Sequence, residues 1–199
     1  MSLRLSGGRR LQSPPGDTAR PTAARVRQAV LNLLGPQLQG CRWLDLCCGS
    51  GVMACEALQR GAAEVIAIDR DRRVAVVARA NLQAVAAGMG EPPPRVQVIQ
   101  ADARRWLKAQ ARAAAGTAVK DIAAGGPEGP FDLIYCDPPW SEGLHIPLSE
   151  AVSAGGWLAP AGSLVWECPS DRVPEPPSGW QVRDQRRYGG STVVLLQPL

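Results

Sequence analysis

The chain has 199 residues, 45% of them hydrophobic, and a formal net charge of +4. That is enough to bury one substantial core. No apolar run approaches the roughly 18 residues of a membrane span, and the arginines of the N-terminus have no apolar stretch behind them, unlike a secretory signal. These features predict a soluble cytoplasmic protein with one α/β domain.

Cysteine usage and charge narrow the field further. Cys41, Cys47, Cys48, Cys55, Cys136 and Cys168 form no C-x-x-C pair, and His145 is the single histidine. Reduced core thiols without a metal are therefore expected, and a Ser-His-Asp triad lacks its G-x-S-x-G elbow. Residues 1–27 carry Arg4, Arg9, Arg10, Arg20, Arg25 and Arg27 against the single Asp17, a net of +5, so the remaining chain sums to −1. A basic arm of this kind suits a phosphate backbone or is a solvated tail.

Residues 1–22 are rich in Gly, Arg, Pro and Ser and read as an arm or small hairpin outside the core, ahead of a domain spanning 23–199. A helix is expected from about Thr22 to Leu34, stopped by Gly35-Pro36, with Arg25, Arg27 and Gln28 on its polar face. Cys41 to Cys48 reads as a buried strand broken by Gly49-Ser50-Gly51, and Val52 to Arg60 as a helix. Glu64 to Ile68 is a second strand ending in Asp69, and Asp71 to Ala87 a helix closed by Gly88. Val96 to Ile99 is a third strand followed by Asp102, and Ala103 to Ala114 a helix. Gly116 to Pro130 is a low-complexity loop, and Phe131 to Cys136 a fourth strand running into Asp137.

A short helix over Pro147 to Ala154 and a fifth strand over Ser163 to Glu167 follow. The runs Gln181–Arg187 and Thr192–Gln197, joined at Gly189-Gly190, leave no room for a helix and must pair as an antiparallel hairpin. The order predicts a mostly parallel sheet with helices on both faces and one antiparallel strand near an edge. Asp45, Asp69, Asp102 and Asp137 then gather along the carboxyl edge, where ligands bind in such sheets.

The stretch from Asp45 through Gly49-Ser50-Gly51 is a strand-to-helix glycine turn. Its glycines fit a dinucleotide fold as well as a methyl-donor fold, because Ala54 is tolerated at the third position. An aspartate just before the loop would repel a pyrophosphate but suits the ammonium end of S-adenosylmethionine. Asp69 can accept from ribose hydroxyls and Asp102 from an adenine amine, although either could simply cap a helix. Cys47, Ser50, Arg70 and Ala103, beside these residues, complete the expected cofactor contacts.

The most specific feature is Asp137-Pro138-Pro139-Trp140. Two prolines fix the backbone and carry no N–H, so Asp137 and the Pro138 carbonyl are acceptors matched to an –NH2 group. Holding that amine toward an electrophilic methyl is catalysis by positioning. Trp140 offers a face on which a flipped or single-stranded base can stack. Trp43, Trp106, Trp157, Trp166 and Trp180 fall in periodic apolar context and are expected in the core. His145 is placed either near the substrate or in a solvated loop.

These residues resemble a known family. The tetrapeptide is similar to the (D/N)-P-P-(Y/F/W) signature of amino-directed methyltransferases, and the chain more particularly resembles the RsmD family of bacterial 16S ribosomal RNA guanine-N2 methyltransferases. The matching stretches are Arg20-Pro21-Thr22 with Arg25-Val26-Arg27, Leu44-Asp45-Leu46 through Gly51, Glu56-Ala57-Leu58 with Arg60-Gly61-Ala62, Asp69 and Asp71 with Asn81-Leu82, Asp137-Pro138-Pro139, and Gly156-Trp157-Leu158. The resemblance implies a seven-stranded class I methyltransferase fold with S-adenosylmethionine as donor. It also implies methionine contacts from Asp45 and the glycine loop, a ribose ligand in Asp69, and an adenine ligand in Asp102.

Ribosomal RNA or the small subunit is the implied partner of a monomeric enzyme. Arg4, Arg9, Arg10, Arg20, Thr22, Arg25 and Arg27 are the expected RNA contacts. The chain departs from the family at Trp140 for Tyr or Phe, at Cys47-Cys48 for a common Phe-Ala, and at Asp69 for Glu. Alternative readings are an adenine-N6 methyltransferase on RNA or DNA, a Rossmann oxidoreductase and a non-catalytic RNA-binding module.

Overall fold

The computed structural model describes residues 3–14, 23–114 and 129–199. Arg20 and Thr22, and nearly all of the Gly116–Pro130 loop, lie outside them. In chain order the elements are α1 (Ala24–Leu38), β1 (Arg42–Leu46), α2 (Val52–Gln59), β2 (Glu64–Asp69), α3 (Arg72–Ala86), β3 (Arg95–Gln100), α4 (Ala103–Ala114), β4 (Phe131–Cys136), a 3-10 turn (Trp140–Glu142), α5 (His145–Ala154), β5 (Leu158–Pro169), β6 (Trp180–Tyr188) and β7 (Ser191–Pro198).

The strands form one seven-stranded sheet in the order β3-β2-β1-β4-β5-β7-β6. Every pairing from β3 to β5 is parallel, and β7 enters antiparallel between β5 and β6. This is the expected mostly parallel sheet with its antiparallel strand next to an edge.

Alternation along the strands builds two cores. Trp43, Val65, Leu133, Tyr135, Val193 and Leu195 face α1, α2 and α3, whereas Leu44, Leu46, Ile66, Ile68, Ile134 and Leu196 face α4 and α5. Successive strand residues point to opposite faces, so neighbours in sequence feed different layers. Of the five tryptophans expected in the core, all are at most 8% exposed.

Several boundaries differ from those the sequence predicts. Gly35-Pro36 does not end α1, which continues to Leu38 with Pro36 inside its last turn. Leu34 and Leu38 stand four residues apart on one face and are both fully buried. That apolar stripe favours one more turn despite the missing N–H. Strand β5 begins at Leu158, five residues early, because the chain bulges where Phe131 pairs with Leu158 and Leu133 with Ser163. Helix α5 begins at His145.

Residues 3–14 form a hairpin, with Arg4 bridged to Arg10, and it is not outside the core. Leu5 and Leu11 are buried in the cluster shared with α1 and α2. Glu56, itself buried, accepts from the Ser6 backbone N–H at 2.8 Å and the Ser6 hydroxyl at 3.0 Å. Arg27, expected to face RNA, is 5% exposed instead. Its guanidinium donates to the Arg4 carbonyl at 2.7 Å and lies 3.5 Å from Glu56. A charge held that way fastens the hairpin and cannot reach a phosphate.

Candidate active site

A cavity of about 760 Å³ opens at the carboxyl ends of β1, β2, β3 and β4, within the range of small-molecule sites, about 300–1,000 Å³. Helical crossovers leave β1 and β4 in opposite directions along the sheet, so their shared edge is a topological switch point. The cavity sits there because no helix can cover both strand ends.

On the β1 side it is lined by Asp45, Cys47, Gly49 and Ser50. Beyond Leu46 the chain reverses sharply: Cys47 has φ 63° and Gly49 φ 55°, and the Cys48 N–H donates to the Ile68 carbonyl at 2.8 Å. Cys47 is the one non-glycine residue with positive φ among the described residues, a conformation most side chains avoid. Burial, with Asp69, Asp45 and Asp137 nearby, pushes its thiol up to about 12. It is neutral at physiological pH and has no nucleophile's character.

Gly51, expected among the cofactor contacts, does not line the cavity. It has φ +75°, and a Cβ there would press on the Ala78 Cβ at 3.3 Å. The missing side chain therefore lets the loop approach α3 closely.

Asp69 and Arg70 line the β2 side, and Asp102 and Ala103 the β3 side. Asp69 shapes the loop: its Oδ2 accepts from Gly49 N and its Oδ1 from Asp71 N, each at 2.9 Å. Each carboxylate oxygen retains a lone pair for a hydroxyl donor. Asp102 caps α4, accepting from Arg105 N at 2.8 Å, while also facing the cavity.

Asp137, Pro138, Pro139 and Trp140 form the opposite wall. The Pro139 carbonyl accepts from Glu142 N at 3.0 Å and is spent on the 3-10 turn that begins at Trp140. Trp140 is half-buried.

Electrostatics mark the cavity as a seat for positive charge. Asp45 is 1% exposed, and its Oδ2 has no hydrogen-bond partner among the described residues. Burial first, then Asp137, then Asp69, raises its pKa well above the ordinary carboxylate value. Burial also raises Asp69. A cation entering among these carboxylates would relieve both the repulsion and the orphaned oxygen. That donor set fits the ammonium and sulfonium charges of S-adenosylmethionine and is unfavourable for a pyrophosphate.

Several contributors escaped the sequence reading. Leu3, Ser13 and Pro14 bring the hairpin to the cavity wall. Asn81, 3% exposed on α3, holds both the hairpin and the glycine loop. The signal was present in the sequence: Glu56 and Asn81 are polar residues at positions where the helical stripe calls for apolar ones. His145 is neither solvated nor at the substrate side. It is buried, its Nε2 lies 2.8 Å from the Glu167 carbonyl, and its ring meets Trp166 edge-on at 5.5 Å. Burial lowers its pKa, so it packs as a neutral ring.

Of the expected RNA contacts, Arg4, Arg9 and Arg10 are exposed on the hairpin and Arg25 on α1. No helix among the described residues is long and apolar enough to cross a membrane.

Comparison with known proteins gives a consistent picture. The model of the family described as conserved hypothetical protein 95 matches residues 5–197. The chain is 34% identical over 191 residues to "Putative rRNA methyltransferase YlbH" of Bacillus subtilis, covering 96% of this chain and 94% of that one. It is 29% identical to ribosomal RNA small subunit methyltransferase D of Escherichia coli K12, covering 96% and 85%. Among solved structures, "Putative methyltransferase yhhF from Escherichia coli" superposes with a TM-score of 0.76 at 28% identity, covering 100% of this chain and 98% of that one.

Proposed function

The chain belongs to the conserved hypothetical protein 95 family, that of the RsmD ribosomal RNA methyltransferases, and on that premise we propose that it methylates the exocyclic N2 amine of a guanine in 16S ribosomal RNA. S-adenosylmethionine supplies the activated methyl group. The observation that carries the reading is one cavity that joins an acidic, glycine-turn cofactor end to the Asp137–Trp140 wall.

At the cofactor end, Asp45 faces the positive charge of the methionine part, Asp69 accepts from the ribose, and Asp102 with Ala103 borders the adenine. Cys47, Gly49 and Ser50 supply the close backbone wall, and Arg70 covers the solvent side. At the other end, Asp137 and the Pro138 carbonyl each accept one N–H of the target amine. That fixes the amine's lone pair toward the methyl group. With an activated methyl donor no strong base would be needed, and Asp137 would take the proton that the amine loses.

Trp140 stacks on the target base, and Pro139 closes the turn that presents it. Exposed Arg4, Arg9, Arg10 and Arg25 contact phosphates, which positions the RNA without selecting the base. The enzyme acts as a monomer in this reading. The names of the relatives support ribosomal RNA of the small subunit as substrate, and the family resemblance supports guanine N2.

The test is methyl transfer to under-modified small-subunit RNA with the product nucleoside identified. N2-methylguanine is expected, and Asp137→Ala abolishes it. N6-methyladenine as product would overturn the guanine assignment. Full activity of Asp137→Ala would overturn the active site.

A further inference from the structure

We propose that Asn81 is a positioning residue that couples docking of the N-terminal hairpin to the cofactor loop, so that cofactor binding and hairpin closure strengthen each other. The inference rests on the cofactor reading given above.

One amide joins the hairpin to the loop. Asn81 Oδ1 accepts from Gln12 N at 2.8 Å, and Nδ2 donates to Gln12 O at 3.0 Å and to Ser50 O at 2.9 Å. The side chain thus reads the hairpin's last backbone unit as a neighbouring strand would. With the same NH2 group it also grips the loop that lines the cofactor cavity. The amide is buried, so bonds given up there are not replaced by water.

Neither Gln12 nor Asn81 lines the cavity, but the residues they hold do: Ser13 and Pro14 follow Gln12, and Ser50 faces the cavity directly. A ligand contacting those residues favours the closed hairpin. A closed hairpin in turn satisfies the amide that fixes Ser50. Linkage requires the effect to be equal in both directions.

The coupling joins the two substrates. The hairpin carries exposed Arg4, Arg9 and Arg10, so its position sets where a phosphate backbone meets the protein. Cofactor loading then prepares the basic surface as well as the methyl-transfer end.

The experiment measures S-adenosylhomocysteine affinity by calorimetry and amide hydrogen exchange of residues 3–14, with and without that ligand. It compares the unaltered chain, Asn81→Ala and Gln12→Pro. The second variant removes the N–H from the exposed hairpin side and leaves the core intact should Asn81→Ala fail to fold. In the unaltered chain the ligand is expected to slow hairpin exchange about tenfold. In each variant, affinity falls about tenfold and the ligand no longer changes hairpin exchange. A residue that merely stabilised the fold would lower the melting temperature but leave the ligand-induced difference in place. Ligand binding with an unresponsive hairpin in the unaltered chain overturns the coupling alone. So does Gln12→Pro with unchanged affinity and response. No binding of S-adenosylhomocysteine by the unaltered chain overturns the cofactor reading, and the coupling with it.

Discussion

Arg70 and Glu142 face each other at the solvent side of the cavity as a bidentate pair, Nη1 to Oε2 at 2.8 Å and Nη2 to Oε1 at 2.5 Å. Arg70 follows Asp69 of β2, and Glu142 ends the turn that begins at Trp140. Two side chains thus tie the β2 side of the cavity to the wall that carries Trp140. The pair is largely exposed, 59% and 30% by side chain, so its contribution to global stability is below about 1 kcal/mol. The pair's expected effect is on the placement of Trp140, which begins the turn that Glu142 ends.

Arg70→Glu and Glu142→Arg are each expected to lower kcat/KM for RNA about fivefold, the equivalent of about 1 kcal/mol. Melting temperature should hardly change. The double variant reverses the pair and recovers most of the loss. Steady-state kinetics on all four proteins checks this, and a double variant as poor as the product of the singles would deny the pair a positioning role.

Asp45 carries a cost to folding when it ionises. Its folded pKa is raised, so ligand-free stability is fully present below the ordinary carboxylate pKa and is lost as pH rises through the raised value. A cationic ligand needs the ionised form, so affinity runs the other way and increases over that same window. Asp45→Asn is expected to stabilise the ligand-free chain by about 0.5–2 kcal/mol, at about 2–4 °C per kcal/mol. It should also weaken S-adenosylmethionine binding and flatten its pH dependence. Calorimetry across pH, with thermal melts, measures both signs.

Glu56 and Arg27 clasp the hairpin from beneath. Removing one partner of a buried charged pair leaves the other uncompensated, at a cost of about 3–5 kcal/mol. Glu56→Ala is expected to show that loss in denaturant titrations, whereas Arg25→Ala on the exposed face of α1 should leave stability unchanged. Equal stabilities for the two variants would remove the clasp from the account.

The contrast between Arg25 and Arg27 shows how far the sequence could be read. Element order, strand direction and the carboxyl-edge aspartates followed from apolar periodicity and short connections, which are local signals. Arg27 is two residues from Arg25 and of the same type, but it is buried against the Arg4 carbonyl and Glu56, partners distant in sequence. Gly51 shows the same distance effect: its missing side chain accommodates Ala78, a partner 27 positions away. Pro36 failed to stop α1 because the burial of Leu38 outweighed a local rule. Asp137 to Trp140 line the cavity because they follow β4 directly at the carboxyl edge of the sheet, a placement that the strand pattern alone predicts.

Trp140 is the stacking surface in this account. Trp140→Ala is expected to reduce kcat/KM for RNA by about 10- to 100-fold, matching a stacking contribution of about 1–3 kcal/mol. Trp140→Phe should retain most activity, and neither variant should alter affinity for S-adenosylhomocysteine. Steady-state kinetics beside calorimetry separates the two, and a cofactor defect in Trp140→Ala would place the ring at the wrong end of the cavity.

The central claim is the identity of the methylated group, and mass spectrometry of 16S ribosomal RNA from cells with and without this protein tests it most directly. The account predicts that one N2-methylguanine disappears without the protein and returns with the unaltered chain but not with Asp137→Ala. Loss of an N6-methyladenine instead, or an unchanged set of modified nucleosides, would contradict it.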